Sequence, residues 1–192
     1  MTVKIARNIF DLRIMDPETI LVNRAPVLTL WASVVAERMG YDQDAALSLG
    51  KAVAGINALA KGRSLGIYKP RERVEGAPRK SEGLGEEYRI ELLGRPVPAK
   101  NTKQGVRAVV KDKPIEPDGV EKYLVGKFGA ELQAVKKAME SLVRAFKPEE
   151  LHQIAFSLYE RFRPEIPAGV SGWGAKGKLD LNLILSLAKR AR

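Results

Sequence analysis

The sequence contains no cysteine and a single histidine, His152, among its 192 residues. The absence of cysteine excludes disulfide scaffolds, thiol nucleophiles and iron–sulfur clusters, and a lone histidine excludes zinc fingers and multi-histidine metal sites. The chain neighbours of His152 are Glu149, Glu150 and Gln153, and none of them makes a nucleophile–base pair with it. The sequence therefore predicts no catalytic residue, no metal site and no cofactor.

Long apolar runs are also missing. The longest uncharged stretch, residues 25–36, has 12 residues, whereas a helix that spans a bilayer needs roughly 18 or more. The first residues have no apolar leader segment, so we expect a cytoplasmic protein that does not contact a membrane. Four Gln and five Asn stand beside 29% charged residues, and this balance is typical of thermostable proteins.

The length allows one domain or two small ones, and 45% hydrophobic residues are enough to build a core. The patterns predict a mainly helical α+β protein. We divide it into a helical unit at residues 1–62, a basic arm with a β-hairpin at 63–113, and a C-terminal helical part at 114–192. The last part contains a helical hairpin and a final helix, and we expect the three parts to form one compact domain.

The first unit has clear helix boundaries. Asp16-Pro17-Glu18 has the form of a helix start and predicts a short helix up to Asn23. Gly40 is placed to end the next helix, and Asp42 or Asp44 to cap a third. The sequence therefore predicts three consecutive helices before residue 62.

The third helix contains Gly50 and Gly55. A glycine inside a helix costs about 1 kcal/mol relative to alanine, so both need compensation. We expect a neighbouring backbone to approach closely at each. The spacing from Ala36 to Leu49 also matches a helix-turn-helix, but residues 44–50 offer no Arg, Asn or Gln to a base edge. An ordinary helical hairpin is favoured.

In the middle part, residues 88–92 alternate as a strand does, and residues 106–110 are a possible partner. The connection between them is long for a hairpin, so we expect a mobile or functional loop there. The C-terminal part opens at Pro117, and Gly126 and Gly129 are expected to break or bend its first helix.

Two apolar stripes, at residues 132–146 and 151–162, predict the helical hairpin. The leucines of residues 179–185 alternate as a strand would, but we favour a helix capped by Asp180. The basic residues at its end suit a helix C-terminus.

Charge is distributed unevenly. Residues 1–60 carry six basic and six acidic side chains, whereas residues 61–113 carry 14 and seven. Cations along a Gly- and Pro-rich segment favour binding to the phosphates of nucleic acid or another polyanion, and the alternative is a solvated surface. The candidate nucleic-acid-binding residues are Lys61, Arg63, Lys69, Arg71, Arg73, Arg79, Lys80, Arg95, Lys100 and Lys103.

A glycine-rich segment, Gly172-Trp-Gly-Ala-Lys-Gly-Lys178, matches seven positions of the P-loop pattern and fails at Leu179, where Ser or Thr should bind magnesium. We favour a structural turn in which Trp173 anchors the connector to the core. The alternative is a looser anion-binding loop formed by Trp173, Lys176 and Lys178.

These observations leave three hypotheses. The leading one is a non-catalytic nucleic-acid-binding protein that acts mainly through backbone electrostatics. The second is an enzyme for a phosphorylated or carboxylated small molecule, with Arg95, Lys176 and Lys178 binding the anion and a carboxylate acting as the base. The third is a helical interaction module that forms a homodimer through residues 43–62.

Overall fold

The computed structural model describes residues 19–66, 85–172 and 174–191, which form six α-helices and six β-strands. The first three elements are β1 (Thr19–Asn23), α1 (Arg24–Arg38) and α2 (Gln43–Ser64). The middle strands are β2 (Tyr88–Leu92), β3 (Arg95–Thr102), β4 (Gly105–Val110) and β5 (Lys113–Pro114). The rest are α3 (Pro117–Phe128), α4 (Leu132–Arg144), α5 (Pro148–Phe162), β6 (Lys176–Asp180) and α6 (Leu181–Arg190). The mainly helical α+β fold class is confirmed.

The short helix expected before Asn23 is wrong over its described part, because Thr19–Asn23 is strand β1. The helix-start residues 16–18 lie outside the described residues. β1 pairs antiparallel with β6, and Val22 lies opposite Gly177 with its side chain buried. The strand is stabilised by pairing with β6, which lies more than 150 residues further along the chain. The sequence around residues 19–23 therefore gives no sign of it.

Helices α1 and α2 form the predicted hairpin. Gly40 has a φ of +103° after the end of α1, and the Asp42 carboxylate accepts a hydrogen bond of 2.9 Å from the Ala45 amide. At Gly50 the helices touch so closely that a Cβ would lie 2.5 Å from the carbonyl oxygen of Thr29. The expected close approach is confirmed at Gly50 and wrong at Gly55, where a Cβ would meet nothing within 4 Å.

Strands β2 to β5 form one antiparallel sheet in chain order. The long loop predicted between residues 93 and 106 is wrong, because β3 occupies most of it and is the actual partner of β2. Pro96 and Pro98 conceal this strand in the sequence. β4 pairs with β3 only from Ala99 to Thr102, so at the two prolines β3 has a neighbour on one side only, where a missing N–H is tolerated.

The C-terminal helices follow the predicted stripes, with two corrections. α4 packs mainly against α6 and α1, and α5 packs against α1, so these two helices are not the paired hairpin that we expected. Gly126 lies inside α3 and does not break it, whereas Gly129 has a φ of +55° and ends the helix. Helix α6 is capped as expected, since the Asp180 carboxylate accepts from the Leu183 amide at 3.1 Å. The residues before the cap belong to β6.

The hydrophobic core is centred on α1, which packs against α2, α4 and α5. Trp31 of α1 is fully buried, and its indole Nε1 donates a hydrogen bond of 2.8 Å to the carbonyl of Ala155. Its ring meets that of Phe162 edge to face, with centroids 5.1 Å apart. Among the described helices, none combines the length and the apolarity that crossing a bilayer requires.

Candidate nucleic-acid interface

The predicted basic residues divide into those the structure describes and those it does not. Lys61 and Arg63 are exposed in the last turn of α2. Cations there also interact favourably with the negative end of the helix dipole. Five candidates lie outside the described residues: Lys69, Arg71, Arg73, Arg79 and Lys80. Their role stays a prediction.

Arg95 is engaged within the protein. Its guanidinium lies 4.9 Å from the centroid of the Phe156 ring, and its Nη2 donates to the side-chain oxygen of Asn57 at 3.4 Å. Its Nε is buried without a hydrogen-bond partner among the described residues. The side chain therefore ties β3 to α2 and α5, which leaves it poorly placed to contact a nucleic acid.

Lys100 and Arg107 are direct partners across β3 and β4, and both are buried, with 7% and 3% of their surface exposed. Directly opposite residues in an antiparallel pair place their side chains on the same face. The Arg107 Nη2 lies 3.3 Å from the Asp44 carboxylate, which stands in the first turn of α2. Arg107 thus connects the sheet to α2. We expected Lys100 on the accessible surface because of its charge, but it is buried.

The cations that remain exposed on the sheet lie mainly at its turns. Lys103 is in the two-residue turn between β3 and β4, Lys111 is in the two-residue turn between β4 and β5, and Lys113 directly follows that turn. Arg89 is exposed on β2. Of these four, Lys103 was one of the ten candidates, and Lys111 and Lys113 continue the same basic stretch of the sequence. The turn positions became recognisable only once β3 and β5 were placed.

The last three residues of the glycine-rich segment, 176–178, belong to strand β6 rather than to a loop. Lys176 and Lys178 are exposed on β6 and Gly177 is buried between them. A Cβ on Gly177 would lie 2.6 Å from the carbonyl carbon of Glu165, because residues 165 and 178 form an antiparallel bridge. The glycine is explained by this backbone contact. Trp173 lies outside the described residues.

A second basic cluster, which the sequence did not reveal, lies between α2 and α3 and consists of Lys51, Tyr123 and Lys127. The Lys51 ammonium is 3.6 Å from the centroid of the Tyr123 ring, and that of Lys127 is 5.8 Å from the same centroid. Burial and then repulsion from Lys127 lower the pKa of Lys51. Burial raises the pKa of Tyr123. We call these three residues the α2–α3 cluster.

The enzyme hypothesis predicts a pocket lined by lysine and carboxylate side chains. Among the described residues, a cleft between α1, α2, α3 and α4 contains Glu37, Glu121 and Lys136. Lys136 is paired with Glu37 at 3.3 Å, and the space open to water-sized molecules is about 60 Å³. Ligand pockets are typically about 300–1,000 Å³, so this cleft gives the hypothesis little support. Lys176, Lys178 and Arg95 do not line it.

His152 lies near a carboxylate of strand β2. His152 Nε2 lies 3.9 Å from a Glu91 oxygen, and both side chains are substantially exposed.

Residues 45–50 and 52–54 of α2 are buried inside the chain, so a homodimer through residues 43–62 would have to use the second half of the helix. Leu59, which is 50% exposed, lies there.

No protein-family model matches this chain, and comparison with curated proteins and with solved structures finds no match either.

Proposed function

We propose that this chain is a cytoplasmic, non-catalytic nucleic-acid-binding protein that contacts phosphates through the turns of its four-stranded sheet. The observation that carries the proposal is the charge of residues 95–113. This segment holds six basic side chains and one acidic side chain. Three of the basic ones, Lys103, Lys111 and Lys113, are exposed in or beside turns.

The positions of these lysines suit an extended polyanion. Lys103 lies just before β4, and Lys111 and Lys113 lie just after it. A strand of six residues is about 20 Å long. Along a duplex axis this length corresponds to about six phosphates of one strand. One backbone can therefore pass both ends of β4.

The surface favours contacts with phosphates over recognition of bases. Tyr88 is the large aromatic side chain of the sheet, and 37% of it is exposed. Its hydroxyl donates to Asn101 at 3.0 Å, which fixes the ring beside β3. Phosphate contacts carry no sequence information directly. We therefore expect similar affinity for strands of different sequence, with a steep dependence on salt.

The test is a salt titration of binding to labelled single-stranded and duplex 20-mers by fluorescence anisotropy. The test variant combines Lys103→Ala, Lys111→Asn and Lys113→Ala. Asn is chosen at 111 because that residue has a φ of +51°, which Asn tolerates better than most residues. Losing three phosphate contacts should flatten the plot of log K against log salt by about two to three units.

A matched control neutralises three other exposed lysines, Lys137, Lys147 and Lys189. It removes the same net charge from the helical part of the protein, so its slope should stay near that of wild type. Equal slopes for the two triple variants would show that only net charge matters and would refute the sheet interface. No measurable binding by the wild type at low salt would refute the function itself.

A further inference from the structure

The α2–α3 cluster holds two ammonium groups near one aromatic ring. Lys51 and Lys127 come from different helices, and both ammonium groups lie near the Tyr123 ring where α2 packs against α3. Within residues 19–66, 85–172 and 174–191, neither lysine has a carboxylate within salt-bridge distance, 4.0 Å. The two like charges repel each other, and within the described part of the chain no carboxylate in salt-bridge range offsets this repulsion.

Three exposed glycines lie on the same two helices as the cluster. Gly55 lies four residues after Lys51 on α2, and Gly119 and Gly126 lie four before and three after Tyr123 on α3. These spacings place each glycine on the same helix face as the cluster residue of its helix. A Cβ at any of the three would meet nothing within 4 Å. Packing therefore does not explain these helical glycines, in contrast to Gly50.

Close approach of a ligand to the helix backbone does explain them, since glycine is the residue that permits it. A ligand that approaches the backbone at Gly55 lies about one helical turn from Lys51. One that approaches Gly126 lies about one turn from Tyr123. Lysine is a common phosphate binder, and a phosphate group offers several acceptor oxygens to two such donors. The exposed side of Lys127 gives access from solvent.

We propose that Lys51 and Lys127 bind a phosphate group. The Tyr123 ring positions the two ammonium groups, and Gly55 and Gly126 leave space for the ligand beside the helix backbones. The site uses other residues than the sheet turns, and it does not depend on the proposed nucleic-acid interface. The phosphate belongs either to a free polyphosphate, such as the tail of a nucleotide, or to a nucleic-acid backbone. The chemistry of recognition is the same in both cases.

The first experiment measures binding of sodium tripolyphosphate and of a single-stranded 20-mer to the full chain by calorimetry. Lys51→Gln and Lys127→Ala should each raise the dissociation constant of the cognate probe by about tenfold, the loss of one charge-assisted contact. Lys122→Ala is the matched control, because Lys122 is an exposed lysine next to Tyr123 on α3. It should change the constant by less than about twofold.

Gly55→Ala separates binding from folding. The added Cβ has free space and improves helix propensity, so this variant should melt at a higher temperature than wild type and still bind the probe more weakly. A direct readout is NMR of methylated lysines. Bound phosphate should raise the pKa of Lys51 towards its ordinary value, because an opposite charge favours the ammonium.

The outcomes distinguish the source of the phosphate and the two proposals. Loss of tripolyphosphate binding in the lysine variants identifies a free polyphosphate, and loss of 20-mer binding alone identifies a nucleic-acid backbone. The sheet variant with Lys103, Lys111 and Lys113 neutralised should bind tripolyphosphate like wild type. If neither probe binds wild type, or if Lys51→Gln and Lys127→Ala bind both probes normally while folded, the site is refuted. The sheet interface would still stand on its own salt slopes.

Discussion

Gly50 and Gly55 of α2 offer a matched pair of substitutions whose effects should have opposite signs. They lie on one helix five residues apart, and neither has a positive φ. Replacing either by alanine gains about 1 kcal/mol of helix propensity. At Gly55 nothing opposes this gain, so Gly55→Ala should stabilise the protein by up to about 1 kcal/mol.

At Gly50 the new methyl group would lie 2.5 Å from the Thr29 carbonyl oxygen and 2.9 Å from the Ser33 amide nitrogen, besides contacting the Ser33 hydroxyl. Two of these three atoms belong to the α1 backbone, so a change of rotamer does not relieve the overlap. Overpacking of this kind costs about 1–3 kcal/mol or more. Ser33 Oγ also donates to Thr29 at 2.8 Å, and displacing it loses about a further 1 kcal/mol. The net expectation for Gly50→Ala is a loss of about 2 kcal/mol.

The stability of both variants should be measured by thermal and urea unfolding, with circular dichroism as the signal. For a chain of this size, 1 kcal/mol moves the melting temperature by about 2–4 °C. Gly50→Ala should therefore melt about 4–8 °C below wild type, and Gly55→Ala up to about 4 °C above it. A Gly50→Ala protein as stable as Gly55→Ala would refute the close contact between α1 and α2.

Two further predictions concern β6 and the core. Gly177→Ala should lower stability by about 2 kcal/mol or more, because its Cβ would overlap the backbone of Glu165, whereas Lys176→Ala and Lys178→Ala should each stay within about 0.5 kcal/mol of wild type in urea unfolding. The reverse ranking, with phosphate binding lost in the lysine variants, would favour the anion-binding loop. Burial raises the pKa of Tyr159 from 10.0 to about 12. The unfolded chain therefore ionises first, and roughly 2–3 kcal/mol of stability should disappear as the pH rises from about 10 to about 12. Tyr159→Phe should lose this decline in urea titrations at each pH, and an unchanged decline would contradict the assignment.

Local chemistry was sufficient to predict the helices. Gly40 and Asp42 mark the turn between α1 and α2, and Asp180 caps α6, because each acts within three or four residues of its own position. Among the described strands, β1, β3, β5 and β6 were not predicted. The reasons differ for β1 and β3. β1 pairs with residues near the other end of the chain, and β3 carries prolines that a single-sided neighbour permits.

The candidate sites were harder to predict for the same reason. A charged side chain reads as surface in a sequence, but Arg107 is buried against Asp44, which lies 63 residues away. Arg95 is held by Phe156 and Asn57 on two different helices. Lys51 meets Tyr123 only because α2 packs on α3. No spacing rule along the chain brings these groups together.

The pairing of β1 with β6 also has a consequence during synthesis. β1 is among the first described elements to leave a ribosome, yet its partner strand lies at residues 176–180. At about 5–20 residues per second, the intervening chain takes about eight to thirty seconds to make. Helices α1 and α2 need no such delay, because everything that forms their contact lies within residues 24–64. The helical hairpin of α1 and α2 therefore forms on the nascent chain while the backbone of β1, which precedes it, is still unpaired. β1 gains its partner only when the last part of the chain has been made.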